Sequence, residues 1–81
     1  MSERLEKLDK EMNEAHDRFM EYAMYNLFTV DKSELKTLYE KYDKAYRAYR
    51  PVAIEEDEDE IIIKVADFWH KHATTVLEMK S

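Results

Sequence analysis

Apolar residues fall along the chain in three stripes, each with the rhythm of a helix. Leu5, Leu8, Met12, Ala15, Phe19 and Tyr22 recur at alternating steps of three and four. That alternation keeps them on one line of a helix and is the seam of a helix lying nearly parallel to its neighbour. From Met20 onward the stripe widens, as Ala23, Met24, Leu27 and Phe28 add a flanking band. A helix over 2–28 follows, with Ser2 as its cap and Glu3 and Glu6 against its positive end. At 1.5 Å per residue it would be about 40 Å long.

The second stripe is Leu35, Leu38, Tyr42, Ala45 and Tyr49, again at three and four. Its start carries the most specific local signal in the chain. Asp31 is placed to cap, Glu34 to close a capping box, and Val30 and Leu35 to form a hydrophobic staple. Glu40–Lys44 and Asp43–Arg47 are i,i+4 pairs in the favourable order. Pro51 disfavours helix at Arg50, so this helix is expected over 32–50. The third stripe, Ile62, Val65, Ala66, Trp69, Ala73, Val76 and Leu77, predicts a helix over 58–80, with Asp57 and Glu60 as a second capping box. Three helices with short connections make an all-α, three-helix antiparallel bundle in one domain. The first helix is expected to be the longest, its first turns projecting. The wide Met20–Phe28 band is consistent with a dimer.

Composition narrows the choice. The 81 residues include no Gly, one Pro and no Cys. Without Gly the primed hairpin turns of a sandwich or barrel are nearly excluded. Without Cys there is no disulfide framework, thiolate nucleophile or thiolate-bound zinc, which fits a cytoplasmic protein. The opening residues are acidic and no apolar run is long, so neither a secretory signal nor a membrane span is expected.

Charge is the most uneven feature. The net charge is −6, and Glu55, Glu56, Asp57, Glu58, Asp59 and Glu60 form an unbroken run. The other acids and bases balance, thirteen against thirteen, so the whole imbalance is local. Such a run is either a solvated helix start or a patch that docks on a basic groove of a larger protein. In size and composition the chain resembles the small acidic inhibitors encoded by bacteriophages. That resemblance implies an anti-CRISPR or anti-restriction type of inhibitor, with the run standing in for DNA.

The aromatic residues offer a second surface. Tyr39, Tyr42, Tyr46 and Tyr49 alternate with Lys41, Lys44, Arg47 and Arg50, a composition suited to stacking on bases and meeting phosphates. The net negative charge favours the other reading, in which Tyr42 and Tyr49 lie in the core and Tyr39, Tyr46 and Trp69 anchor a protein interface. Nucleic acid stays as the alternative partner.

Catalysis has little to stand on. His70 and His72 point about 200° apart on a helix and cannot share a metal. Asp67 and His70 lack the matching Glu-x-x-His of a di-iron bundle, because Asn13 stands three before His16. The histidines are therefore expected at the surface, His72 half-buried at most. The serines sit at helix starts or termini, and a phosphate loop needs Gly. No catalytic residue, metal or cofactor is expected.

Three resemblances remain. Glu60 to Trp69 resembles the acidic helix of all-α nucleotide pyrophosphohydrolases, but Lys64 stands where that metal motif has Glu. Tyr49-Arg50-Pro51-Val52-Ala53-Ile54-Glu55, with Phe68-Trp69 downstream, looks like a stretch of the theta subunit of bacterial replicative polymerase. Glu34-Leu35, Tyr39 and Asp43 are similar to a helix of the Hha-type nucleoid regulators. The last two imply a helical accessory protein that binds a larger protein.

Overall fold

The first helix starts where Ser2 can cap it. Ser2 Oγ accepts from the Leu5 amide at 3.1 Å, and its carbonyl accepts from Glu6 at 2.9 Å. The computed structural model describes residues 2–25 and 30–80. Helix α1 spans Glu3–Tyr25, α2 spans Lys32–Glu55 and α3 spans Glu60–Lys80. Among the described residues there is no strand, and the expected three-helix bundle is what forms. It measures 42 × 19 × 16 Å, close to the length of one such helix.

The first two stripes meet as predicted. Leu5, Met12, Phe19 and Ala23 from α1 and Leu35, Tyr42, Tyr49, Val52 and Ala53 from α2 form the buried core, joined by Ala73 of α3. Leu8, Ala15, Tyr22, Leu38 and Ala45 pack around them. Leu5 is buried, so the first turns of α1 do not project. Among the described residues α1 has 23 and α2 has 24. The expected end of α1, with Leu27 and Phe28, lies outside the described residues.

The start of α2 departs from the expected capping box. Asp31 Oδ1 accepts from the amides of Ser33 and Glu34 at 2.8 and 3.2 Å, as a cap should. Glu34 does not reach back. The Asp31 amide instead donates to the Tyr22 hydroxyl of α1 at 2.9 Å, which ties the two helices together at this end.

Helix α2 does not stop at Arg50. Pro51 sits inside it, and the helix runs one more turn to Glu55. The cost of Pro in a helix is a lost hydrogen bond to the carbonyl four residues back. Here that carbonyl belongs to Arg47, an exposed residue, as is Pro51 itself. The added turn buries Val52 and Ala53 in the core. Core burial outweighs the local preference.

The chain then turns without Gly. Asp57 takes φ 58°, the left-handed conformation usual for Gly just past a helix end. The Glu58 amide donates to the Ala53 carbonyl at 2.9 Å and the Asp57 amide to that of Ile54 at 3.2 Å, a Schellman closure. Asp57 is thereby used to end α2 and does not cap α3. That role falls to Asp59, whose Oδ1 accepts from the Ile61 amide at 2.8 Å and whose carbonyl accepts from Ile63.

Candidate functional site

Helix α3 lies along α2 and touches α1 least. A row of polar side chains runs along its contact with α2, while Ile63, Ala66, Val76 and Leu77 pack against the core. Tyr39, Asp43, Tyr46 and Arg50 step along one edge of α2 by four, three and four, opposite Thr74, His70 and Asp67 on the antiparallel α3. The Arg50 guanidinium holds Asp67 with both arms, Nε to Oδ1 at 2.9 Å and Nη2 to Oδ2 at 3.1 Å. The Tyr46 hydroxyl donates to the same Asp67 Oδ1. One rung on, Nε2 of His70 meets Asp43 Oδ1 at 2.7 Å, while Arg47 Nε meets Oδ2 at 2.9 Å. At the far end Thr74 Oγ1 donates to the His70 carbonyl, so its remaining contact, at 2.8 Å, is accepted from the Tyr39 hydroxyl.

These rungs set the local charge states. Hydrogen bonds from Arg50 hold the Asp67 carboxyl below the usual aspartate range, against a smaller effect of burial. Burial pushes Asp43 up, but hydrogen bonds from His70 and Arg47 more than offset it, and its pKa is also lowered. Both are therefore ionised acceptors at neutral pH, and the His70 nitrogen is the donor to Asp43. Burial, then the bond to Asp67, pushes the Tyr46 hydroxyl up to about 12. It is a hydrogen-bond donor here and not an acid.

The other edge of α3 forms a groove of about 410 Å³ against α1, floored by Tyr42 and Tyr49. His16 stands in it, edge-on to Tyr42 at 5.1 Å and to Trp69 at 5.8 Å between centroids. His16 Nε2 and the Tyr49 hydroxyl are buried there without a hydrogen-bond partner among the described residues. Burial pulls the His16 pKa below its ordinary value, and Asp17 at 3.8 Å offsets this only in part.

The structure redistributes the residues singled out by sequence. Tyr39 and Tyr46 are half-buried and bonded to α3, so they brace the bundle from within. Arg47 and Arg50 are engaged by Asp43 and Asp67, while Lys41 and Lys44 remain exposed. His16 and His70 are not surface histidines: each side chain keeps 19% of its exposure. His72 is the exposed one, against the edge of Trp69. Among the described residues no group of three His, Asp or Glu side chains could hold a metal ion.

The acidic run stays outside. Glu55, Glu56, Asp57, Asp59 and Glu60 are exposed and Glu58 is half-buried. Lys64 reaches Glu60 at 3.6 Å, the one cation within ion-pair distance of the run among the described residues. The run belongs to the turn before α3, and Trp69, which is 44% exposed, stands where the outer side of α3 meets the groove against α1.

Sequence reasoning missed the rest of that outer side. Ile61, Val65, Phe68 and Met79 are all exposed apolar residues, with Ile62 and Trp69 beside them. Their signal was a second rhythm on the same helix, 61, 65, 68, 72, 75 and 79, at four and three.

Comparison with known proteins adds no family. No family model, no curated protein and no solved structure matches this chain. The resemblances to the theta subunit and the Hha-type regulators accordingly carry nothing further. Among the described residues no helix is long and apolar enough to cross a membrane.

Proposed function

We propose that this chain is a non-enzymatic protein-binding module, a small acidic regulator or inhibitor whose turn between α2 and α3 docks on a basic groove of a larger protein. One observation carries the reading. Five acids of the run that accounts for the entire net charge, all but the half-buried Glu58, are exposed around a turn closed on one side by the Schellman bonds and on the other by the Asp59 cap. A row of like charges held in place repels itself, and a basic surface relieves that repulsion and draws the two molecules together. A bacteriophage-type inhibitor that imitates the phosphates of DNA is the most concrete form of this proposal.

The test uses Glu55→Gln, Glu56→Gln and Asp57→Asn together. These leave the Asp59 cap intact, and Asn tolerates the left-handed conformation. Parent and triple variant are immobilised, and host proteins retained at low salt and released by salt are identified by mass spectrometry. The expected result is one larger, basic-surfaced protein held by the parent and lost by the variant. Equal retention by both, or no retained protein, overturns the proposal.

A further inference from the structure

We infer that the exposed face of α3 is the seam of an antiparallel homodimer, occupied by the α3 helix of a second copy of this chain. The inference does not depend on the acidic turn's proposed role. Helix α3 is apolar on two nearly opposite faces. Ile63, Ala66, Ala73, Val76 and Leu77 pack on its own bundle. Ile61, Val65, Phe68 and Met79 form the other face, with Ile61 70%, Phe68 61% and Met79 77% exposed. A surface helix needs one apolar stripe, and one that is apolar on both sides is normally covered on both sides.

The size of the face fits a protein partner. From Ile61 to Met79 the exposed apolar residues run the length of α3, the kind of extended patch that marks a protein interaction site. Its spacing fits a helix. Positions 61, 65, 68, 72, 75 and 79 are the core positions of a heptad seam, and Ile62 and Trp69, which also rim the groove against α1, line one flank.

Self-pairing satisfies this seam in one antiparallel register. Ile61 then lies opposite the partner's Met79, Val65 opposite the partner's Thr75, and Phe68 opposite the partner's His72. On one flank Trp69 meets the partner's Trp69. On the other flank Lys64 faces the partner's Glu78, an opposite-charge pair made twice by the two-fold axis. Lys71 meets the partner's Lys71 at the axis, the one like-charge contact, on the exposed edge where long side chains can splay. A parallel pairing would instead set the two acidic turns side by side. Antiparallel pairing separates them by about 35 Å along the seam.

Analytical ultracentrifugation tests the assembly. The 9.8 kDa chain should sediment as a dimer at tens of micromolar. Phe68→Glu should weaken the dimer at least tenfold while circular dichroism stays helical. Should that variant lose its helix, Met79→Glu at the seam's end replaces it with the same expectation. Because the chain has no Cys, single cysteines report the register. A short bis-maleimide should link Lys71→Cys to itself. It should link Lys64→Cys only when mixed with Glu78→Cys. A monomer at 200 μM (roughly the upper working range), a dimer unaffected by both Glu variants, or self-linking of Lys64→Cys would each overturn the inference.

Discussion

The imidazole of His70 lies flat on the ring of Tyr46, with centroids 4.0 Å apart and planes 12° from parallel. The same imidazole reaches past that ring to the Asp43 carboxylate. One side chain of α3 is thus both stacked and hydrogen-bonded to α2, midway along their contact. His70→Ala should cost about 1–2 kcal/mol, the sum of a partly exposed charge-assisted hydrogen bond and a ring contact. Guanidinium unfolding followed by circular dichroism measures it. A loss below about 0.3 kcal/mol would remove the rung from the account of stability.

Acid should unfold the bundle through Asp43 and Asp67. Both carboxyls titrate below 3.8 when folded and near it when unfolded. Below that value the unfolded chain binds more protons than the folded one. The stability they supply is therefore complete above about pH 4 and is lost as pH falls through their folded pKa values. Asp67→Asn should lower the melting temperature at pH 7 and shrink the difference between pH 7 and pH 3. An undiminished difference would place the acid sensitivity elsewhere.

His16 acts in a higher window. Its pKa is depressed from 6.5, mainly by burial. Below pH 6.5 the unfolded chain takes up a proton that the folded chain resists, so stability falls as pH drops toward the folded value. In His16→Gln the change in melting temperature between pH 7.5 and 5.5 should be smaller than in the parent. Proton NMR should show the His16 ring titrating below 6.5. A midpoint at or above 6.5 would contradict the burial argument.

Asp57 holds a conformation that costs a side chain energy. Asp57→Gly relieves that cost without touching the Schellman bonds, which use only backbone atoms. The variant should be more stable by about 0.5–1 kcal/mol, read from the denaturation midpoint. A destabilised variant would mean that the carboxylate itself holds the turn.

What could be read from sequence was what local chemistry decides. Ser2 and Asp31 announce helix starts because their side chains bond to amides two or three residues away, and the stripes through Phe19 and Tyr42 announce which faces meet. The end of α2 was misplaced because Pro51 is a local signal and the burial of Val52 and Ala53 is not. The polar rungs between α2 and α3 were illegible for a related reason. Tyr46 and Asp67 are far apart in the chain, and only the antiparallel register shows that they face each other. The second face of α3 was legible as spacing, but Trp69 and Val65 fit either stripe, and one stripe was enough to predict a helix.

The small share of α3 in the fully buried core sets an order of opening. Helices α1 and α2 hold each other through Phe19, Leu35, Tyr42 and other buried side chains, whereas α3 contributes Ala73 alone to the fully buried set. Its remaining ties include hydrogen bonds for which water competes directly. We expect α3 to open while the α1–α2 hairpin endures, so that amide exchange is governed by two free energies, not one. Amides in the middle of α3 should exchange sooner than those flanking Phe19 and Tyr42. Strengthening the rungs would slow the former and leave the latter nearly unchanged.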